Sequence, residues 1–201
     1  MTATPDLSVV IPIHNEEAIL DTAVRVLHQR LCKRGGGFEI LLCENGSVDR
    51  TASVARQLER ELNDVQVIQI DVPNYGRALR QGIFAARGEH IICDEIDLGD
   101  MDFYARAISQ LAAGADMVVG SKRHPDSRDA RPWFRRQGTM VINSLLRAAL
   151  DFRGTDTHGL KAFRRSTLLP LVESCVVEHN LFASELVIRA GRDGFDVREI
   201  P

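Results

Sequence analysis

The stretch LSVVIPIHNEEAILDTAVRVLHQRL, residues 7–31, changes its hydrophobic period from that of a strand to that of a helix. Its first part, residues 7–13, is almost entirely apolar, as in a strand buried on both faces of a parallel sheet. After the polar residues 14–17, the apolar positions recur at helical spacing and predict a buried face formed by Ile19, Leu20, Ala23, Val24, Leu27 and Leu31. A strand that leads into such a helix is the first half of a βαβ unit.

The same alternation of strand and helix continues to residue 121. Helices that end at Gly88 and Gly114 are predicted within it. The apolar runs predict further strands at 38–44, 65–70, 90–95 and 115–121, and the helical periods predict helices at 49–62, 76–88 and 102–114. These units predict an α/β fold, with a mostly parallel sheet that carries helices on both faces.

Residues 122–201 break this rhythm. The stretch 122–136 is basic and contains two prolines. Beyond it the patterns predict an apolar helix near 137–150, further helices near 166–172 and 181–191, and a closing strand at 195–200. An irregular segment on a sheet scaffold often forms the substrate side of a site.

Composition and charge restrict the class of protein. The formal net charge of −3 provides no basic excess for binding nucleic acid. No segment reaches the about 18 apolar residues of a membrane span, and the N-terminal residues lack the pattern of a secretion signal. The cysteines are widely spaced and form no CxxC pair, which predicts buried reduced thiols in a cytosolic protein at Cys32, Cys43, Cys93 and Cys175.

Polar residues follow four of the predicted strands, at 14–17, 44–51, 71–78 and 94–100. In an open parallel sheet, ligands bind at the carboxyl ends of the strands, so these segments are expected to converge on one rim. Each segment alone also has a simpler explanation as a turn or a helix cap, with the caps at Asn15, Ser47 or Asp49, and Asp100 or Asp102.

The stretch CDEIDLGD, residues 93–100, contains the most closely spaced acids of the chain. Glu95 and Asp97 can approach one hard divalent cation, which takes oxygen ligands and leaves positions for phosphate oxygens and water. The alternative is a set of solvated acids at a strand end. Together with the other polar strand ends, the pair predicts a site for a metal diphosphate.

Six blocks in this order carry a family resemblance: VVIPIHNEE, ENGSVDRT, NYGRALRQGIFAARGEHIICDEIDLGD, MVVGSKR, DTHGLKAFRR and ASELVIRAGRDGFDVREIP. The chain resembles family 2 glycosyltransferases over nearly its whole length, most closely the branch of dolichol-phosphate mannose synthase and other polyprenyl-phosphate glycosyltransferases. The resemblance implies a Rossmann-like GT-A fold in a single domain, 1–201, with a nucleotide-sugar half at 1–121 and an acceptor half at 122–201.

The resemblance also implies an activity. Family members transfer a sugar, with inversion at the anomeric carbon, from a nucleoside diphosphate donor such as GDP-mannose or a UDP-sugar. The acceptor of this branch is a polyprenyl or dolichyl phosphate, which would place a cytoplasmic enzyme peripherally at the membrane surface. Two alternatives remain open: a non-catalytic or degenerate sugar-nucleotide binder, and a nucleotidyltransferase. The second lacks its usual glycine-rich basic loop, because the first strand is followed by His-Asn-Glu-Glu.

The family motifs place the donor site on particular residues of this chain. The nucleotide sugar would be bound by Pro12, His14, Glu16, Glu44, Asn45, Gly76, Arg77, Glu95 and Ile96. Glu95 and Asp97 match the outer acids of the Asp-x-Asp motif, which holds Mg²⁺ or Mn²⁺ on the donor diphosphate, and Asp97 is thereby also catalytic. The chain departs from the usual family residues at His14, Asn45, Glu95 and Gly99.

The acceptor side is implied in the same way. Arg123, Arg135 and Thr139 would bind the acceptor phosphate, since a guanidinium grips phosphate oxygens bidentately. Asp156 would act near the reacting centre, as a general base for a hydroxyl acceptor or as an orienting group for a phosphate. Arg164 and Arg165 either face the diphosphate or are surface charges at a helix start.

Overall fold

The structure, a computed structural model, describes residues 4–121 and 159–201. Within these ranges one sheet is built from the strands β1 (Leu7–Ile13), β2 (Phe38–Asn45), β3 (Val65–Ile70), β4 (His90–Cys93), β5 (Met117–Gly120), β6 (Lys161–Arg164) and β7 (Val197–Ile200). The strand order is β3-β2-β1-β4-β6-β5-β7. Neighbouring strands run parallel except at β6, which is antiparallel to β4 and β5. The predicted α/β fold with a mostly parallel sheet is confirmed.

Helices cover both faces of the sheet. They are α1 (Leu20–Arg34), α2 (Thr51–Glu61), α3 (Tyr75–Ala85), α4 (Met101–Ala112), α5 (Arg165–Ser174) and α6 (Phe182–Arg192), with a 3₁₀ turn at His179–Leu181. Helices α1, α2 and α4 pack on one face, and α3, α5 and α6 pack on the other. Along β1, Val9 and Ile11 point to the first face and Val10 to the second, as the pleat of a strand requires.

The strand order places a switch point between β1 and β4. From β1 the chain proceeds outward through β2 and β3, then returns to pair β4 on the other side of β1. The loops that follow β1 and β4 lie side by side at the carboxyl edge of the sheet, and a crevice lies between them where ligands of α/β sheets bind.

The structure also corrects several details of the sequence analysis. Strand β6 was not predicted, because residues 161–164 carry a cation at each end and show no strand-like alternation. The predicted helix at 76–88 ends at Ala85 instead of Gly88, whose N–H donates to Ser8 Oγ at 2.8 Å. Gly88 is a glycine because a Cβ there would lie 2.6 Å from the Ser8 nitrogen.

The predicted buried face of the first helix is confirmed at Leu20, Val24, Leu27 and Leu31, but Ala23 is only partly buried. Leu20 and Leu31 are fully buried, whereas Ile19 is 40% exposed because it lies in the turn before α1. Asn15 does not cap this helix: it lies further upstream in the left-handed region, at φ 56°.

The four cysteines are free thiols, as predicted, but they are not all buried. Cys43, Cys93 and Cys175 lie in the core, whereas Cys32 is exposed on α1. Among the described residues, no helix has the length and apolar character needed to cross a bilayer.

Candidate active site

The loop after β4 is organised around a buried acid. Asp94 is 2% exposed, and its carboxylate accepts hydrogen bonds from the Glu95 N–H at 2.7 Å and from the Tyr104 hydroxyl. Burial raises the pKa of Asp94 to about 6, although the hydrogen bonds from Tyr104 and the loop N–H groups oppose this rise. Asp100 caps α4 by accepting the N–H groups of the next turn, so Asp100 and not Asp102 is the cap.

Glu95 and Asp97 project from this loop into the crevice. Both are exposed, and both line the cavities on either side of the loop. In the described part of the chain, no group of three or more His, Cys, Asp or Glu side chains is arranged to hold a metal ion. Two carboxylates suit a cation that takes its other ligands from a diphosphate and from water, since hard cations prefer oxygen.

One cavity, of about 300 Å³, brings most of the predicted donor-site residues together. It lies over the switch point and is walled by the ends of β1, β2 and β4 and by the first residue of α3. Of the predicted residues it contains Pro12, His14, Glu16, Asn45, Glu95, Ile96 and Asp97. It also contains Tyr75, which no motif or pattern in the sequence identifies as a site residue. Burial, with the nearby Cys93 and Glu95, raises the pKa of the Tyr75 phenol.

His14 and Asn45 join the loops that follow β1 and β2. The Nδ1 atom of His14 lies 2.8 Å from the Asn45 carbonyl oxygen, and because a carbonyl only accepts, Nδ1 carries the proton. The other ring nitrogen, Nε2, lies 3.0 Å from Asn15 Nδ2 and accepts from it. The side-chain oxygen of Asn45 accepts the Asn74 N–H at 2.6 Å. Asn45 is thus tied to both neighbouring loops.

Glu44, Gly76 and Arg77 do not line this cavity. Glu44 is 2% exposed and accepts the Ser47 N–H at 2.6 Å, so it holds the turn after β2. A Cβ on Gly76 would lie 2.3 Å from the His179 carbonyl oxygen, so this glycine permits close packing of α3 on the 3₁₀ turn. Arg77 is exposed and lines a separate cavity on the outer side of α3.

A larger cavity, of about 530 Å³, lies on the other side of the 95–99 loop. Its walls are the loop and the flank of α1, where the side chains are mainly apolar, as at Ile19 and Val26. Arg30 spans one end of it and donates to the Gly99 carbonyl oxygen at 3.2 Å. The two cavities share Ile19 and residues 94–97, so they form one continuous crevice around the acidic loop.

The predicted acceptor residues Arg123, Arg135, Thr139 and Asp156 lie outside the described residues. Arg164 and Arg165 lie within them and do not face the crevice. Because β6 is antiparallel to β4, Arg164 pairs with His90 at the opposite end of the strand. Arg164 donates to the carbonyl oxygens of Leu111 and Ala115, and Arg165 to that of Ala86. The suggestion that they face the diphosphate is wrong.

Comparison with known proteins agrees with this geometry. Residues 8–170 match the family described as Glycosyl transferase family 2. The chain is 30% identical to Glycosyltransferase AglD of Haloferax volcanii over 98% of its own length but only 32% of that protein. It is also 30% identical to the uncharacterized glycosyltransferase Mb0553 of Mycobacterium bovis, over 96% of its own length and 83% of that protein.

A further relative and a solved structure extend the comparison. The undecaprenyl-phosphate 4-deoxy-4-formamido-L-arabinose transferase of Pseudomonas paraeruginosa is 33% identical, over 80% of this chain and 47% of that protein. The glucosyl-3-phosphoglycerate synthase of Mycobacterium tuberculosis, in complex with Mn²⁺, UDP and phosphoglyceric acid, has a similar fold. It superposes with a TM-score of 0.71 at 18% identity, over 97% of this chain and 68% of that one.

Proposed function

The chain belongs to glycosyl transferase family 2, and from this premise we propose that it transfers a sugar from a nucleoside diphosphate donor to a polyprenyl phosphate. One observation carries the proposal: Glu95 and Asp97 face the same switch-point cavity as Pro12, His14 and Asn45. A pair of acids beside polar strand ends suits a donor whose diphosphate needs a cation and whose nucleoside needs a crevice.

The acceptor class is supported by the relatives, among which an undecaprenyl-phosphate transferase is 33% identical. We propose that a lipid phosphate reaches the crevice from the membrane surface and that residues 122–158 provide acceptor contacts through Arg123, Arg135 and Thr139. Guanidinium groups suit this phosphate, because their planar donors match its oxygens. The enzyme would then act peripherally on the cytoplasmic face of a membrane.

In the proposed reaction, Glu95 and Asp97 would hold a divalent cation, Mg²⁺ or Mn²⁺, and the cation would supply positive charge that neutralises the departing diphosphate. His14 and Asn45 orient the nucleoside, and Glu16 and Ile96 border it in the same cavity. An oxygen of the acceptor phosphate forms the new bond to the anomeric carbon as the bond from that carbon to the donor diphosphate breaks. The attack comes from the opposite face, so the anomeric configuration inverts.

The acceptor oxygen is already anionic, so this transfer needs no strong general base. We propose that Asp156 orients groups at the reacting centre instead of removing a proton. The contribution of the protein is then mainly positioning, together with electrostatic stabilisation of the leaving group.

Calorimetry with UDP- and GDP-sugars, with and without Mn²⁺, tests the donor site. We expect one of the two nucleotide classes to bind in a Mn²⁺-dependent manner and Glu95→Ala to abolish this binding. Asp102→Asn is the matched control, because Asp102 is an exposed acid just beyond the loop that lines neither cavity. Unchanged affinity in Glu95→Ala would refute the assignment of the metal site.

Turnover is tested separately. Wild-type protein with the bound sugar nucleotide, Mn²⁺ and undecaprenyl phosphate should release free nucleoside diphosphate and form a glycolipid in equal amounts. Sugar-nucleotide binding without release across a panel of lipid phosphates and soluble phosphate acceptors would instead indicate a degenerate binder.

A further inference from the structure

The carboxylate of Asp94 interacts with both ends of the acidic loop, residues 95–99. The Glu95 N–H donates to it at 2.7 Å where the loop begins, and the backbone N–H of Gly99, where the loop ends, favours its charged form. The Asp94 N–H itself donates to the Val10 carbonyl oxygen at 3.0 Å, which anchors this residue to β1. One buried side chain therefore holds residues 95–99 against the end of β4.

Tyr104 binds this carboxylate from the side of the hydrophobic core. Its hydroxyl donates to Asp94 Oδ2, and its side chain is fully buried in α4 among core residues such as Phe103 and Leu111. A close-packed aromatic ring has little freedom to move, so the hydroxyl provides a rigid point of attachment. The loop is thereby tied to the core of the molecule.

Gly99 allows the loop to close in this way. Its φ of 54° lies in the left-handed region, which glycine adopts without a steric cost. Its carbonyl oxygen accepts from Arg30 at 3.2 Å, while the Leu98 N–H donates to the Glu95 carbonyl oxygen at 3.1 Å. The positive φ therefore gives a conformational reason for a glycine at this position.

We propose that Asp94, held by Tyr104, positions Glu95 and Asp97 for the cation of the donor diphosphate, an inference that rests on the function proposed above. Each oxygen of the buried Asp94 carboxylate accepts from a donor of the protein, Oδ1 from the Glu95 N–H and Oδ2 from the Tyr104 hydroxyl, so Asp94 is a positioning residue and not a ligand of the cation. Residues that orient metal ligands commonly change metal affinity when they are replaced, by roughly 10- to 100-fold.

A double-mutant cycle tests this inference. The affinity for Mn²⁺ with UDP, and with GDP, is measured by calorimetry in wild type, Asp94→Asn, Tyr104→Phe and the double variant. We expect each single variant to weaken binding of the metal–nucleotide pair by about tenfold or more. The double variant should be no weaker than the single variants, because both remove the same attachment. In excess EDTA, which removes the metal, the variants should bind the nucleotide alone with an affinity close to that of wild type.

Leu111→Ala is the control for general destabilisation. Leu111 is fully buried in the same helix, so its truncation lowers the melting temperature without touching the loop. We expect Leu111→Ala to keep wild-type affinity for Mn²⁺ with nucleotide. An equal loss of affinity in Leu111→Ala would overturn the inference.

Two other results would also overturn the inference. A loss in Asp94→Asn with wild-type affinity in Tyr104→Phe would make Asp94 a metal ligand. Wild-type affinity in both single variants would show that the loop needs no such attachment. Either result leaves the proposed function intact. If the wild-type protein itself bound neither Mn²⁺ with UDP nor Mn²⁺ with GDP, the proposed donor site would fail and the positioning role with it.

Discussion

Single residues in this chain owe their identity to contacts that are distant in sequence. Gly76 meets His179 and Phe182, and Asp94 meets Tyr104. The sequence alone could identify Glu95 and Asp97, because closely spaced acids directly after an apolar strand are visible in the pattern. It could not assign Asp94 its role, because that role depends on burial and on a tyrosine in the following helix.

Gly76→Ala is expected to destabilise the protein. The added methyl group would lie 2.3 Å from the His179 carbonyl oxygen and 2.7 Å from the Phe182 Cβ, so α3 and the 3₁₀ turn must separate. We expect the free energy of unfolding in urea to fall by about 1–3 kcal/mol, the usual cost of overpacking.

Gly191→Ala is the matched control for this substitution. Gly191 lies inside α6, and a Cβ there would meet no atom within 4 Å. Because alanine has the higher helix propensity, we expect stability to rise by about 0.5–1 kcal/mol. A Gly76→Ala protein as stable as wild type would contradict the packing described for this residue.

At the scale of elements, the strongly patterned segments could be predicted and β6 could not. Strand β3 has the predicted bounds, and β1 coincides with the apolar run that opens the first βα unit. Strand β6 is short, and its first residue, Lys161, is a buried lysine whose ammonium donates to the Gly159 carbonyl oxygen at 2.7 Å. Its strand conformation depends on pairing with β4 and β5, which local sequence does not record.

Glu185 connects α6 to the segment that precedes the 3₁₀ turn. Its carboxylate accepts the N–H groups of Val176 and Val177 and the Nε–H of Arg189. Burial alone would raise the pKa of Glu185, but these donors outweigh burial and hold the pKa below its usual range. A carboxyl group with a lowered pKa stabilises the fold above its unfolded pKa and loses this effect as the pH falls through the folded value.

We therefore expect Glu185→Gln to lower the free energy of unfolding at pH 7 by about 1–2 kcal/mol. The difference from wild type should shrink as the pH is lowered through the acidic range. Urea titrations at a series of pH values measure it. Glu173→Gln, an exposed acid on α5, should change stability by no more than about 0.5 kcal/mol throughout. A Glu185→Gln effect that stayed constant with pH would contradict this assignment.

At the scale of the whole molecule, the hydrophobic core on the face of the sheet that carries α3, α5 and α6 protects three of the four thiols. Burial raises the pKa of Cys93 to about 12 and that of Cys175 to about 11, and it raises the pKa of Cys43 further. These thiols are therefore protonated as well as inaccessible at pH 8, whereas Cys32 is exposed.

Titration of the native protein with a chromogenic disulfide at pH 8 should modify Cys32 rapidly and the other three cysteines only after unfolding. Cys32→Ser should abolish the rapid phase and leave the denaturant-dependent phase unchanged. Rapid reaction of more than one thiol in native protein without denaturant would show that the core around these cysteines opens more readily than their burial indicates.

The position of β6 between β4 and β5 has a consequence for the order in which the chain can fold during synthesis. Both neighbours of β5 in the sheet, β6 and β7, lie later in the chain, so β5 emerges from the ribosome before either of its partners exists. Strands β1 to β4 can pair among themselves as they appear, but one edge of β4 must wait for residues 161–164. Unpaired strand edges attract other chains. The nascent protein is therefore most prone to aggregation in the interval between the release of β5 and the release of β6.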